Sequence, residues 1–272
     1  MATTQDEFRK ELARRFRAIR EAVIITVVDN DALRIGDREN VDLDAVTDFE
    51  FETDPRRIDA FMEWWDGALE EGLVEPIDLA DLERGRHYTA SHVNKGYKKG
   101  VKWGNARARD AGFDVDTAEV EAIIQRPVHQ EALRTLYTRT FENLEGIGPD
   151  AADQIRTILT DGLAEGRGAI DIGNELGRQV DVLRRTRGRT IARTEVMNSH
   201  VQATGKRFIE LGVEKANIAT AEPCEICQEF RDDGPYDIQK VIEALPIHPN
   251  CVCVMVPADP DDDPLTQDWN EL

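Results

Sequence analysis

The chain has four cysteines, and all of them fall in one short C-terminal stretch. Cys224 and Cys227 form a C-x2-C pair, Cys251 and Cys253 form a C-x-C pair, and His248 stands just ahead of the second pair. Donors gathered this tightly point to one knot, cross-linked by metal or by disulfide. Two intervening residues let both thiolates of a C-x2-C pair face a single ion, as in a zinc knuckle. Five candidates then compete for four tetrahedral positions. The preferred set is Cys224, Cys227, His248 and Cys251, with Cys253 as the alternative fourth ligand. If Val252 lies in a strand, Cys251 and Cys253 point to the same side and both reach the ion. The ion expected is a structural zinc. Catalytic zinc is disfavoured, because four protein ligands leave no open position for water. Disulfides and free thiols remain open. The polar N-terminus, MATTQDEFRK, carries no export signal. Synthesis is therefore expected in a reducing compartment, which favours metal.

Upstream of the knot the pattern is helical, so the expected fold class is mainly α: a multi-helix body with a small C-terminal α+β module, zinc-knuckle-like and containing a short β-hairpin. Phe8, Leu12, Phe16, Ile19 and Val23 recur at helical steps over 6–28, although the β-branched run 24–28 also suits a strand. Residues 31–54 read as an acidic linker. A helix over 55–71 is expected, with Asp54 as N-cap, Pro55 as its first residue and Gly72 as its end. Within it Trp64 and Trp65 are expected as core anchors. Further helices are predicted over 128–144, 150–163, 169–179 and 182–211, with the glycine-rich 146–150 as a stop and restart. After Gly212 the period changes, and 217–221 and 252–256 read as short strands, with a turn at 232–235 between them. The expected division is 1–148 as an N-terminal helical region, 149–212 as the helical part of a C-terminal module, 213–258 as its cross-linked β part, and 259–272 as a flexible acidic tail.

The charge balance narrows the partners. Fifty-four acidic side chains against 34 basic ones give a formal charge of -20, which repels nucleic acid as a whole. Only eight of the basic residues are lysines, a bias that resembles proteins of a high-salt cytoplasm. Four of those lysines, Lys95, Lys98, Lys99 and Lys102, sit together near Trp103 and Arg107. This island is a candidate contact for nucleic acid or an acidic partner, or else a solvated face that relieves local acidity. The longest early apolar stretch, 22–28, is far too short to span a bilayer, so no membrane partner is expected. No P-loop, dinucleotide fingerprint, Ser-His-Asp pattern or HExxH occurs, and no enzyme is expected. Glu195, Asn198 and Gln202 share a helix face near Arg193 and read as a polar stripe bonded to the adjoining knot. His248-Pro249-Asn250 is similar to part of an HNH nuclease motif, but no second histidine follows it.

Three motifs in order, IARTEVMNSH (191–200), CEIC (224–227) and PIHPNCVC (246–253), resemble the phage Mu gpF-like and SPP1-type minor head proteins. The upstream DNDAL, FMEWW and RPVHQEALRTLYTRTFENLEGI resemble longer helical members of that family. The motif positions here are Arg193, Thr194, Glu195, Asn198, Pro249 and Asn250 beside the cysteines and His248. Two positions depart from the usual pattern: Ala221-Glu222-Pro223 replaces a charged pair before the C-x2-C, and Val252 replaces an arginine. The resemblance implies a virion component of a tailed virus, in few copies at the portal vertex inside the head and in the host cytoplasm during assembly. Its implied partners are the portal protein, the major capsid protein and viral DNA, and its roles are head morphogenesis, genome packaging or delivery. Combined with the acidic composition, it implies a halophilic host. A DNA-binding or ejected virion protein is the alternative, and a nuclease-like enzyme a more distant one.

Overall fold

A computed structural model describes residues 2–35, 57–220 and 223–258. The Asp54–Pro55 cap, most of the linker and the acidic tail lie outside the described residues. The chain is mainly helical with a small C-terminal sheet, as the periodicity indicates. By contacts it divides into two units. One takes 1–8, 78–140 and 192–272; the other takes 9–77 and 141–191. The spatial units therefore interleave along the chain, because helices α1 (Ala2–Ile24), α6 (Pro127–Glu145) and α9 (Arg189–Glu210) each run from one into the other. The expected segments 1–148, 149–212 and 213–258 do not coincide with them.

In the second unit, α1 ends in a π-helical turn, Ile25–Asp29, so the β-branched run is not a strand. α2 (Arg57–Leu69) likewise runs into a π-turn, Glu70–Val74, that contains Gly72. Trp65 is fully buried and Phe61 stacks obliquely on half-buried Trp64. α7 (Ile147–Ala164) and α8 (Ala169–Leu183) pack together, with Ile155, Leu159, Ile172 and Leu176 inside. Gly146 is the one residue between α6 and α7, so the expected stop is a minimal break. A π-turn, Arg184–Gly188, separates α8 from α9, which therefore starts later than the pattern suggested.

The first unit holds the short helix α3 (Leu79–Glu83), α4 (Ala90–Asp110), the short α5 (Val120–Ile124), the beginning of α6 and most of α9. The basic island thus lies on a helix, α4, whose other side carries Gly96, Gly100 and Gly104 at four-residue steps. A Cβ at Gly100 would stand 2.3 Å from the His200 carbonyl oxygen and 2.7 Å from Ala203 Cβ. Glycine is required there because the backbones of α4 and α9 approach to contact. The Thr204 hydroxyl bridges the two, lying 3.1 Å from the Gly100 carbonyl and 2.9 Å from that of His200. α9 ends at Gly212, whose φ of +78° suits the left-handed stop that glycine tolerates.

Beyond that stop comes the small module. Strand β1 (Lys215–Ala219) is central in a three-stranded antiparallel sheet of order β2-β1-β3, with β2 (Tyr236–Asp237) and β3 (Val254–Pro257). β1 and β3 pair from Ala216↔Pro257 to Ala219↔Val254. The expected hairpin is therefore part of a larger sheet, and helices α10 (Glu225–Asp232) and α11 (Ile238–Ala244) occupy the connection. Ile218, Val241, Ile242, Met255 and Phe208 form its core, and Cys227, Cys251 and Cys253 belong to the same cluster.

Candidate metal centre

Each donor owes its place to a short local structure. Cys224 is the extended residue that opens α10, and Cys227 follows in the first turn, facing the core. The second segment turns sharply. The Cys251 amide donates to the His248 carbonyl at 3.1 Å, and Asn250 has a φ of +66°. Proline followed by a left-handed asparagine is the signature of a type II turn. The turn is tied to α9, since the Asn250 amide donates to Thr194 Oγ1 at 3.1 Å.

These two segments meet. His248 Nε2 lies 3.2 Å from the sulfurs of both Cys224 and Cys227, and Cys227 Sγ lies 3.9 Å from Cys251 Sγ. The donor atoms form two overlapping triads, Cys224–Cys227–His248 and Cys227–Cys251–Cys253, each with all separations within 4.8 Å. A tetrahedral ion with bonds of about 2.3 Å to sulfur and about 2.0 Å to nitrogen spaces its ligands by roughly 3.5–3.8 Å. The observed contacts bracket that range. All four cysteines are free thiols. Cys251 and Cys253 both precede β3, so it is the turn rather than strand alternation that brings them inward.

The electrostatics agree with a cation site. His248 Nδ1 lies 2.9 Å from the Pro249 carbonyl, which can only accept. The proton therefore sits on Nδ1, and the Nε2 lone pair faces the thiols, the orientation a ligating histidine needs. That same carbonyl, together with the neighbouring thiols, raises the His248 pKa. The Cys227 amide in the first turn of α10 favours the Cys224 thiolate and lowers its pKa. Burial pushes the Cys227 thiol up to about 12. The Cys253 thiol and nearby amides bring Cys251 down to about 5, and Cys253 is raised in return. Adjacent buried thiols cannot all ionise alone; a divalent cation removes that conflict.

The remaining candidates divide. Thr194 reaches the knot, whereas Glu195 turns away to Arg139 of α6, with Nε–Oε2 at 3.3 Å. Burial raises the Glu195 pKa against the pull of Arg139 and Asn198. Asn198 lines a cleft of about 310 Å³ with Arg139, Gln202 and Lys206. Gln202 donates to the Ile242 carbonyl of α11 at 3.1 Å. The polar stripe thus reaches α6 and α11. Pro249 is exposed and its carbonyl accepts from His248 Nδ1, whereas Arg193 makes no hydrogen bond to a cysteine or to His248 among the described residues. On α4, Lys95 pairs with Glu7 at 2.6 Å, Lys98 with Glu121 at 2.9 Å, and Arg107 with Asp110 at 3.0 Å. Arg107 also lies over the Trp103 ring, and Trp103 Nε1 donates to the Met255 carbonyl at 3.0 Å.

One constellation had no sequence signal. Buried Arg207 bonds Asn105 at 2.6 Å and Glu210 at 3.0 Å, and pairs with Asp116 at 3.1 Å. Arg126 joins both acids, while His129 links Glu210 to the Tyr97 hydroxyl. Its members are unremarkable residues on four segments; only the i, i+3 step from Arg207 to Glu210 is visible in one dimension. Compared with models of known families, with curated proteins and with solved structures, the chain matches none.

Proposed function

We propose that this protein is a structural component of a tailed virus, a minor head protein at the portal vertex, whose C-terminal module is stapled by zinc. The single observation behind this reading is convergence. The three motifs that carry the family resemblance, separated along the chain, meet in space: Thr194 of ARTE holds Asn250, and the turn at Asn250 delivers His248 to the CEIC thiols. Zinc is the ion that suits mixed thiolate and imidazole donors at tetrahedral spacing. Cys224, Cys227, His248 and Cys251 would hold it, with Cys253 beside them as a buried thiol. The ion's role is mechanical: it joins α10 to the turn before β3 in a module too small to build much core of its own. The rest of the molecule, rich in helix faces and without a recognisable catalytic pattern, suits portal and capsid contacts inside the head rather than catalysis. The acidic, lysine-poor composition suits a halophilic host.

Gentle disruption of purified virions, followed by quantitative mass spectrometry, tests the assignment. The chain is expected to stay with the portal at low, fixed stoichiometry. Release together with the genome would favour the DNA-associated, ejected reading. Absence from mature particles would overturn the virion assignment.

A further inference from the structure

The basic groups of this acidic chain divide by what they face. On α4, Lys95 bonds Glu7 at 2.6 Å and Lys98 bonds Glu121 at 2.9 Å. Those contacts, with the charges of Lys99 and Lys102 added, hold both carboxylates below their ordinary pKa. The lysine island is thus matched by acids of its own chain. A second basic run, RRTRGR (184–189), has four arginines in six residues and no acid. It forms the π-turn between α8 and α9 and the first residue of α9. The acids that reach this run are taken: Asp181 pairs with Arg184 and Arg20, and Asp150 with Arg187. Arg185 and Arg189 are exposed and make no hydrogen bond or ion pair among the described residues. The same holds for Arg178 on α8 and Arg17 on α1.

These four guanidinium groups share one side of a helix pair. Arg178, Arg185 and Arg189 recur at steps of seven and four, so they follow one stripe of about 16 Å at 1.5 Å per residue. α1 lies along this run in the opposite direction. A Cβ added at Gly173 would meet Val28 at 2.6 Å, one at Gly177 would meet Ile24 at 3.3 Å, and one at Gly188 would meet Phe16 at 3.0 Å. In an antiparallel pair of right-handed helices, the residues one step past a contact turn to the same side. Arg17 follows Phe16 and Arg189 follows Gly188, so Arg17 joins the side that the stripe occupies.

The composition of that side selects its ligand. No aromatic side chain lies on the stripe, which removes the stacking platform that single strands need. Its one exposed apolar residue, Val182, is too little for the core of a protein interface. Guanidinium forks without carboxylates suit phosphate, which they grip through two parallel hydrogen bonds. We propose that Arg17, Arg178, Arg185 and Arg189 form a ridge that binds the phosphate backbone of duplex nucleic acid. Contacts of this kind position a duplex without reading its bases. The formal charge of -20 opposes approach by other faces, which orients the duplex on the ridge. All four arginines belong to the unit of 9–77 and 141–191, and the proposal stands or falls apart from the portal assignment.

Fluorescence anisotropy of a short labelled duplex with the full chain tests it, starting from the lowest salt that keeps the helical circular dichroism intact. Four phosphate contacts, at a slope of about -0.9 each, predict that a fourfold rise in salt raises Kd roughly 150-fold. Each of Arg17→Gln, Arg178→Gln, Arg185→Gln and Arg189→Gln should reduce that slope by about 1, and a change of duplex sequence should leave Kd within about twofold. Arg185→Gln with Arg189→Gln should weaken low-salt binding about tenfold or more. All four positions are exposed, so the fold is expected to survive these changes. Lys99→Gln with Lys102→Gln is the contrast and should leave Kd within about twofold, because those charges already act on acids of the chain. An equal loss in the lysine pair would move the contact to α4 and overturn the proposal. So would a parent chain that does not bind duplex, or binding that survives the Arg185 and Arg189 changes. A parent that ignores duplex but is retained on immobilised polyglutamate through these arginines would assign the ridge to an acidic protein instead.

Discussion

His200 lies inside α9 at 3% exposure, with the Trp103 ring 6.1 Å away and no hydrogen-bond partner for its Nδ1. Burial first, with the Lys99 charge adding, lowers its pKa to about 4. The unfolded chain, with an ordinary histidine near 6.5, binds a proton that the folded chain refuses. The stability tied to the neutral ring is thus fully present above about pH 6.5 and is lost as pH falls from there to about 4, by roughly 3 kcal/mol. His200→Gln is expected to flatten this part of the curve relative to the parent, read by urea unfolding at stepped pH. An unchanged slope would show that the ring already titrates normally. At this scale the sequence is uneven. The knot was legible because cysteine is rare here and its spacing carries chemistry. The sequence marks Thr194 only as a motif position and points Glu195 to the adjoining knot, whereas their partners, Asn250 and Arg139, each lie 56 residues away. No local signal records a contact of that separation.

Among the elements, the pairing of α4 with α9 bears most of the packing constraint. Gly100→Ala places a methyl against backbone, which cannot swing aside as a side-chain tip can. The expected loss is about 3 kcal/mol, at the upper end of what overpacking costs. Gly67→Ala in α2 is the matched contrast, since nothing lies within 4 Å of the added atom. It should stabilise by up to about 1 kcal/mol through helix propensity alone. Thermal melts of the two variants check both signs. The long amphipathic helices α1, α2, α6 and α7 could be read from their apolar spacing. α4 is harder to read as a helix, because glycines and lysines interrupt its period, although Val93, Tyr97, Val101 and Ala108 stand buried at helical steps. α10 and α11, of eight and seven residues, are too short for a period to show. β3 starts two residues later than its apolar run because the Cys251–Val252–Cys253 segment is still leaving the turn.

For the whole molecule, the proposed metal staple makes a prediction about stability. Chelation is expected to act locally. Under reducing conditions, metal removal should raise amide exchange across 213–257 while the helices of the other unit, such as α7 and α8, stay protected. Protection of 213–257 unchanged by chelation would leave the metal without a structural role. Cys227→Ser should abolish metal uptake, because Cys227 belongs to both donor triads, whereas Cys253→Ser should retain one ion per chain, read by elemental analysis. The mainly helical class and the position of the Cys/His cluster followed from periodicity and spacing. The interleaving of the two units did not, since a helix that passes from one to the other looks no different in sequence from one that does not.

The hydrogen bond from Trp103 to the Met255 carbonyl joins residues 152 apart, while Thr204 and Gly100 meet across 104. During synthesis, the residues of α4 and α9 therefore leave the ribosome before those of β3. Cys224 and Cys227 also emerge well ahead of His248 and Cys251, so a nascent chain holds two donors until the turn at Asn250 has been made. An ion bound by both pairs would therefore be captured late, and contacts of such long range form slowly.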